Sequence, residues 1–205
     1  MLERFRQFWT GLFSPVAHLL LRLGVSPDAV TVVGTLGVVT GALVFFPRGH
    51  FFIGVVVVAA FVFSDLLDGY MARLSGRTSS WGAFLDSTLD RLGDAAVFAG
   101  LVLWYAGRGD SLVLAGLALY CLVMGSVTSY ARARAESLGM SAAGGIAERA
   151  DRLVLILVAT GLAGLFDVES LIVVALALLA VASTVTVVQR MRGVRRQASA
   201  APGAP

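Results

Sequence analysis

The sequence predicts an all-α integral membrane protein, and three observations lead to that prediction. Of the 205 residues, 58% are hydrophobic and only 14% are charged. The mean hydropathy is +0.85, well above the balance typical of a soluble domain. Several apolar runs approach the ~20 residues that an α-helix needs to cross the hydrocarbon core of a bilayer. A soluble globular domain is therefore excluded as the fold class.

Six transmembrane helices are expected from the apolar runs and the turn signals between them. Glycine-containing turns such as Pro47-Arg48-Gly49 and Gly107-Arg108-Gly109 separate the runs. The fifth run is short, so it is tilted, buried among its neighbours, or part of a longer helix that starts near Glu148. The expected spans are about 29–47, 51–72, 82–106, 111–133, 150–166 and 170–190.

The arginines orient this six-helix bundle. All sixteen basic residues are arginine. With six spans, Arg48 and Arg108 lie on one side of the membrane, Arg91 lies within a span, and the other arginines lie on the opposite side. The positive-inside rule places the other arginines, and with them both termini and the functional site, at the cytoplasmic face of the cell inner membrane. The net charge of +3 fits anionic lipid headgroups. No basic, aromatic-rich soluble module is present, so nucleic acid is excluded as a partner.

Two terminal segments differ from the membrane domain at 26–192. Residues 1–25 mix arginine with apolar side chains that recur at i, i+3, i+4 and i+7 from Phe5, which predicts an amphipathic helix in the headgroup zone. A cleaved signal peptide is the alternative, but no clear cleavage pattern follows. Residues 193–205 are expected to form a disordered cytoplasmic tail. Cys121 has no second cysteine to pair with, so neither a disulfide nor a zinc site is expected.

The most informative feature is a motif that places four carboxylates at the ends of two apolar helices. One pair is spaced i, i+3 and the other i, i+4, so each pair shares a helix face. An aspartate at the centre of a membrane helix costs roughly 2.5–3.5 kcal/mol, and divalent cations neutralise such a cluster best. Magnesium, with manganese as the alternative, suits oxygen ligands, whereas zinc would favour His and Cys. The motif is Asp65-x2-Asp68-Gly69-x2-Ala72-Arg73-x8-Gly82-x3-Asp86-x3-Asp90.

This motif resembles the full signature of the CDP-alcohol phosphotransferases, and every fixed position is present. The resemblance covers all six spans. It implies a homodimeric membrane enzyme that joins a CDP-linked lipid to an alcohol and releases CMP. By the same resemblance Asp65 and Asp86 bridge two metal ions, Asp68 holds one of them, and Asp90 holds the other. Asp90 also takes the general-base role in that family. Asp94 lies outside the signature, and a contact with Arg91, an outer hydrogen bond or a direct role stay open for it.

The resemblance also implies where CDP-diacylglycerol binds. In that family the segment that starts the first span contacts the cytidine, although Asp28 after Pro27 is also a good N-cap, and the segment can be an ordinary helix start. Gly69 permits close approach of a ligand to the helix, and Arg73 offers a fork for the diphosphate. Thr78 and Ser80 are alternatives to Ser79. The expected binding residues are Asp28, Ala29, Val30, Thr31, Asp68, Gly69, Arg73, Ser79 and Gly82.

A third group of residues bears on the alcohol acceptor. An anionic acceptor needs several converging arginines, and the ends of spans four and six and the start of span five supply them. These segments resemble the ones that bind inositol phosphate in actinobacterial phosphatidylinositol phosphate synthases. By that resemblance Arg132, Arg152 and Arg190 bind the acceptor phosphate. Anchoring at the cytoplasmic membrane surface is the alternative for each arginine taken alone.

The predicted function is therefore transfer of the phosphatidyl group from CDP-diacylglycerol to inositol phosphate, giving phosphatidylinositol phosphate and CMP. The same chemistry with glycerol 3-phosphate as the acceptor is the first alternative. A divalent-cation channel or transporter is the second. A channel needs carboxylates along a route across the bilayer, but here they lie at one end of the spans, and the outer halves are apolar.

Overall fold

The computed structural model describes residues 14–62, 64–76 and 79–200, with the side chains of residues 65 and 66 excepted. Within these ranges the ordered elements are helices and there is no strand, which confirms the all-α prediction. A short 3-10 helix at Phe46–Arg48 follows the first long helix. The α-helices are α1 (14–22), α2 (Pro27–Phe45), α3 (Phe51–Val62), α4 (Ser64–Leu74), α5 (Ser80–Ala106), α6 (Leu112–Ser137), α7 (Arg149–Phe166) and α8 (Ser170–Ala200).

Side-chain caps fix where the site-bearing helices begin. Ser26, and not Asp28 as the sequence predicts, caps α2: it accepts a hydrogen bond from the Ala29 N–H at 3.2 Å, and Pro27 and Asp28 lie in the first turn. Ser79 caps α5 by accepting from the Gly82 N–H at 3.0 Å. At α7, Glu148 and Asp151 form a reciprocal capping box. The short fifth apolar run is thus a helix that begins directly after Glu148.

The helices pack into one bundle around an apolar core. α2 contacts α3, α4 and α5, while α6 contacts α5 and α8, and α7 contacts α3 and α8. Phe46, Leu101, Ile156 and Leu176 are fully buried in this core. A Cβ built on Gly41 would lie 2.9 Å from Val57, so this glycine lets α2 approach α3 closely within the chain.

Four helical stretches among the described residues are long and apolar enough to cross a membrane: Pro27–Arg48, Phe51–Leu74, Leu112–Ser137 and Ser170–Ala200. Large apolar side chains are widely exposed on the bundle, with Leu112 at 79% and Val113 at 82%. Such exposure suits contact with lipid chains. α5 and α7 have 27 and 18 residues, but charged residues lie at 86–94 of α5 and in the first turn of α7. The count of six spans stays a prediction.

Polar contacts join the helix ends that carry the charged residues. Asp28 at the start of α2 meets Trp81 in α5, Arg91 of α5 meets Ser129 of α6, and Arg190 of α8 meets the Thr128 carbonyl. At the other end of the bundle, Arg108 Nη1 donates to the Arg48 carbonyl at 3.1 Å. The two arginines that the sequence sets apart therefore lie together, away from the rest.

The structure corrects the prediction for the C-terminal tail. Residues 193–200 are helical, because α8 continues through Ala200, and only 201–205 of the predicted disordered tail lie outside the described residues. Alanine, arginine and glutamine in this stretch are good helix formers, so the helix continues past the end of the apolar run. The predicted interfacial segment lies outside the description over 1–13, and its remainder is helical at 14–22.

Candidate active site

A cavity of about 370 Å³ opens where α2, α4 and α5 meet. Asp68 is 6% exposed, and one of its carboxylate oxygens accepts a hydrogen bond from Thr31 Oγ1 at 2.5 Å. This bond ties the start of α2 to α4, and the same Thr31 hydroxyl also lies 3.1 Å from the Pro27 carbonyl within α2. The cavity is lined by Pro27, Asp28, Thr31, Asp68, Gly69, Ala72, Arg73, Ser79, Gly82, Ala83 and Asp86.

Two glycines of the motif line this cavity without adding a side chain to it. Among the side chains that the structure describes, a Cβ built on Gly69 would come within 4 Å of the Arg73 guanidinium alone, at 3.5 Å. A Cβ on Gly82 would lie 3.4 Å from Ser79 Oγ and 3.8 Å from Asp28 Oδ1, in the space between them. Neither position forces glycine through backbone strain. Both positions instead leave space at the cavity wall, and Gly69 is the one at which the sequence predicts close approach of a ligand.

The motif carboxylates divide between this cavity and a neighbouring crevice. Asp68 and Asp86 line the cavity, whereas Asp90, one turn beyond Asp86 on α5, lies in the crevice with Asp94. Asp65 lies one turn before Asp68 on α4, but its side chain is outside the described atoms. Among the described side chains, no three His, Cys, Asp or Glu residues are grouped as a metal site. The donors that do line the cavity are oxygens, which suit a hard cation such as magnesium.

Asp90 makes an ion pair that the sequence does not reveal. Arg149 Nη2 from α7 lies 2.7 Å from Asp90 Oδ1, and Arg149 Nε lies 3.1 Å from Asp94 Oδ1. Arg91 lies 3.7 Å from Asp94, which confirms one of the contacts left open for that residue. The only sequence signal for Arg149 is its place in the charged start of the fifth span, beside Arg152.

A larger cavity of about 850 Å³ adjoins the crevice, and it contains the three arginines expected to bind the acceptor. Arg152 is 3% exposed and Arg190 is 6% exposed. Arg132 is half exposed and pairs with Glu136 at 2.9 Å. The cavity is lined by Ser87, Arg91, Ser126, Thr128, Ser129, Tyr130, Arg132, Ala133, Glu136, Glu148, Arg149, Ala150, Arg152 and Arg190.

Backbone carbonyls hold the two buried arginines in place. Arg152 Nη1 donates to the Ala147 carbonyl at 3.1 Å, and a Cβ on Gly125 would come within 3.3 Å of Arg152 Nε. Arg190 donates to the carbonyls of Gly144 at 3.1 Å and Thr128 at 2.6 Å. Carbonyls orient a guanidinium without cancelling its charge, and the Asp94 carboxylate is 3.9 Å from Arg152, so this cavity suits an anion.

Most of the predicted binding residues therefore line one of two cavities. Ala29 and Val30 do not line the first cavity, because the turn of α2 that carries them presents Asp28 and Thr31 to it instead. Ser79 lines that cavity, while Thr78 lies outside the described residues. Trp81 Nε1 donates to Asp28 Oδ2 at 3.1 Å, a contact between distant segments that no local pattern predicts.

Comparison with known proteins agrees with this arrangement. The profile of the CDP-alcohol phosphatidyltransferase family matches residues 24–188. The chain belongs to this family. It is thus an enzyme of the CDP-alcohol phosphatidyltransferase family and a membrane protein. The match includes the first cavity, the crevice and most residues of the second cavity.

Several phosphatidylinositol phosphate synthases are similar to nearly the whole chain. The chain is 53% identical to a phosphatidylinositol phosphate synthase of Streptomyces avermitilis, with 100% of this chain and 86% of that protein covered. The crystal structure of Mycobacterium tuberculosis phosphatidylinositol phosphate synthase with CDP-DAG bound is 44% identical, with a TM-score of 0.87 and coverage of 94% and 96%. The same mycobacterial enzyme with manganese and citrate gives a TM-score of 0.84 at 43% identity, with coverage of 94% and 91%.

Proposed function

We propose that this phosphatidyltransferase transfers the phosphatidyl group from CDP-diacylglycerol to inositol phosphate. The observation that carries the proposal is the adjacency of the two cavities, one bearing the CDP-alcohol motif and the other bearing buried arginines. The relatives named phosphatidylinositol phosphate synthase and the mycobacterial structure with CDP-DAG support the same choice of substrates.

The first cavity is the site for the CDP diphosphate. Asp28 and Thr31 lie at its α2 wall, where the nucleotide binds, and the Arg73 guanidinium lies beside Gly69 to pair with phosphate oxygens. Gly69 and Gly82 let the diphosphate approach the helices. The acyl chains leave the cavity between helices and enter the surrounding lipid.

Two divalent cations fit the carboxylates of α4 and α5. Asp65, Asp68, Asp86 and Asp90 would hold them, and Mg²⁺ suits this all-oxygen set, as does Mn²⁺, which is bound in the mycobacterial relative. When bound, such a pair neutralises the charge that develops on the diphosphate. Asp68 and Asp86 line the cavity and Asp90 lines the neighbouring crevice, so the carboxylates that would hold the cations extend from the CDP site toward the acceptor site.

The second cavity binds the acceptor. Arg152 and Arg190 take the phosphate of inositol phosphate, and Arg132 assists at the rim. The bound acceptor then presents a hydroxyl toward the crevice that contains Asp90. An oxygen–phosphorus bond forms between that hydroxyl and the β-phosphorus, the bond from this phosphorus to the CMP oxygen breaks, and the hydroxyl proton passes to the Asp90 carboxylate.

The membrane arrangement forms part of the same proposal. Six spans at 26–192 form the phosphatidyltransferase domain, with both termini and both cavities at the cytoplasmic face of the inner membrane and two copies in a homodimer. The distribution of arginine supports this orientation, because Arg48 and Arg108 lie together at the opposite end of the bundle.

An acceptor assay tests the proposal directly. Purified protein is incubated with CDP-diacylglycerol in mixed micelles, Mg²⁺, and either inositol phosphate or glycerol 3-phosphate, and CMP and the lipid product are measured. We expect CMP release that depends on inositol phosphate and yields phosphatidylinositol phosphate. Turnover with glycerol 3-phosphate alone would refute the acceptor assignment and leave the family chemistry in place.

A further inference from the structure

Arg149 touches both parts of the site. Its guanidinium lines the acceptor cavity and also the crevice that contains Asp90. One edge of the group, formed by Nε and Nη2, reaches two carboxylates that lie one turn apart on α5: Asp94 at 3.1 Å and Asp90 at 2.7 Å. Arg149 is the residue of α7 that connects the predicted general base with the predicted acceptor site.

Asp94 is the centre of the contacts around Arg149. Its side chain is 15% exposed, and it accepts the Nε hydrogen bond of Arg149. The same carboxylate lies 3.7 Å from Arg91 and 3.9 Å from Arg152, so it faces three guanidinium groups that line the acceptor cavity. Asp94 is one turn beyond Asp90 and outside the family motif, so the proposed chemistry leaves it without a role.

We propose that Arg149 couples the acceptor to Asp90 and that Asp94 is the positioning residue that orients Arg149. This inference rests on the proposed function, which makes Asp90 the general base. A guanidinium is planar with donors in fixed directions, so anchoring Nε and Nη2 fixes the orientation of the whole group. An acceptor bound in the cavity then contacts a group that already holds the base, which aligns its hydroxyl with Asp90.

Lysine cannot replace arginine in this role. A lysine at position 149 keeps the positive charge, but its single ammonium group cannot bridge the two carboxylates through a rigid edge. We therefore expect Arg149→Lys to lower kcat and to raise the KM for inositol phosphate. The combined loss in kcat/KM for the acceptor is expected to be about 10-fold or more, while the KM for CDP-diacylglycerol stays unchanged.

A double-mutant cycle separates positioning from a merely structural role of Asp94. In the wild-type background, Asp94→Asn is expected to lower kcat/KM for inositol phosphate about 10-fold. In the Arg149→Lys background, the same change is expected to have an effect of less than about twofold, because the hydrogen bond from Arg149 Nε at 3.1 Å is already lost and the remaining contacts of Asp94 with Arg91 and Arg152 are longer, at 3.7 and 3.9 Å. Asp110→Asn, a carboxylate in the loop at the opposite end of α5, is the matched control and is expected to leave both constants unchanged.

The outcomes of this cycle decide the inference. The inference is overturned if Asp94→Asn changes kcat/KM for inositol phosphate by less than about twofold in the wild-type background. It is also overturned if Asp94→Asn lowers kcat/KM as much in the Arg149→Lys background as in the wild-type background. Arg149→Gln serves as the second background if the lysine variant does not fold, as judged by thermal unfolding in detergent. Wild-type protein that ignores inositol phosphate would instead contradict the proposed function, and the cycle is then run with the phosphorylated acceptor that the enzyme does consume.

Discussion

The more deeply an arginine of the acceptor cavity is buried, the more its substitution should lower kcat/KM for inositol phosphate. Arg152→Gln is expected to have the largest effect. Arg152 is 3% exposed and is oriented by the Ala147 carbonyl, so its charge is largely desolvated. Removing one partner of a buried, hydrogen-bonded charge pair costs about 2–5 kcal/mol. Taking about 3 kcal/mol, and about 1.4 kcal/mol for each factor of ten, we expect kcat/KM for inositol phosphate to fall more than 100-fold.

The half-exposed arginine gives the comparison that makes this prediction specific. Arg132 has a side chain that is 50% exposed and already pairs with Glu136. Exposed ion pairs contribute only about 0.2–1 kcal/mol, so Arg132→Gln should lower kcat/KM by no more than about fivefold. Arg192→Gln is the matched control, because Arg192 is exposed and does not line the acceptor cavity.

The assay is steady-state CMP release at varied inositol phosphate and saturating CDP-diacylglycerol. Thermal unfolding in detergent checks that Arg152→Gln protein remains folded after losing its contact with the Ala147 carbonyl. A loss for Arg152→Gln smaller than about fivefold, or a larger loss for Arg132→Gln than for Arg152→Gln, would refute the reasoning from burial.

Three further predictions concern the first cavity. Asp90→Asn should abolish CMP release, because the amide cannot take the hydroxyl proton, while CDP-diacylglycerol still binds; unchanged turnover would remove Asp90 from the base role. Gly69→Ala should lower kcat/KM for CDP-diacylglycerol at least about tenfold without lowering thermal stability, since the new Cβ enters the ligand space and, of the described side chains, approaches Arg73 alone, at 3.5 Å. Gly116→Ala, with no described neighbour within 4 Å of the new Cβ, is the control, and equal activity of the two variants would contradict the assignment. Chelation with EDTA should stop turnover, and Mg²⁺ or Mn²⁺ should restore it; activity that survives exhaustive chelation would rule out metal-dependent chemistry.

Much of the fold follows from sequence patterns that act over short distances. The start of α7 after Glu148 follows from local hydrogen bonding near the helix end, whereas the cap of α2 is Ser26 and not the predicted Asp28, two residues further on. The continuation of α8 through Ala200 was missed, because the prediction placed the helix end at the end of the apolar run. Helix propensity in the polar stretch beyond the apolar run extends the helix instead.

Site residues that belong to a motif of fixed spacing can be predicted from the sequence. Contacts between side chains of different helices cannot. Gly69 and Gly82 belong to a motif whose offsets are set along the chain, and both line the cavity as expected. The contact between Arg149 and Asp90 joins helices that are far apart in sequence, so no local spacing records it. Burial likewise separates Arg152 from Arg132, although both are arginines near helix ends.

The central claim is that acidic side chains of α4 and α5 hold two divalent cations between the CDP cavity and Asp90. Anomalous X-ray diffraction from crystals grown with Mn²⁺ measures this most directly. We expect two peaks about 4 Å apart, bounded by Asp65, Asp68, Asp86 and Asp90. The absence of a peak in contact with both Asp68 and Asp86, in crystals whose manganese is bound elsewhere, would contradict the account.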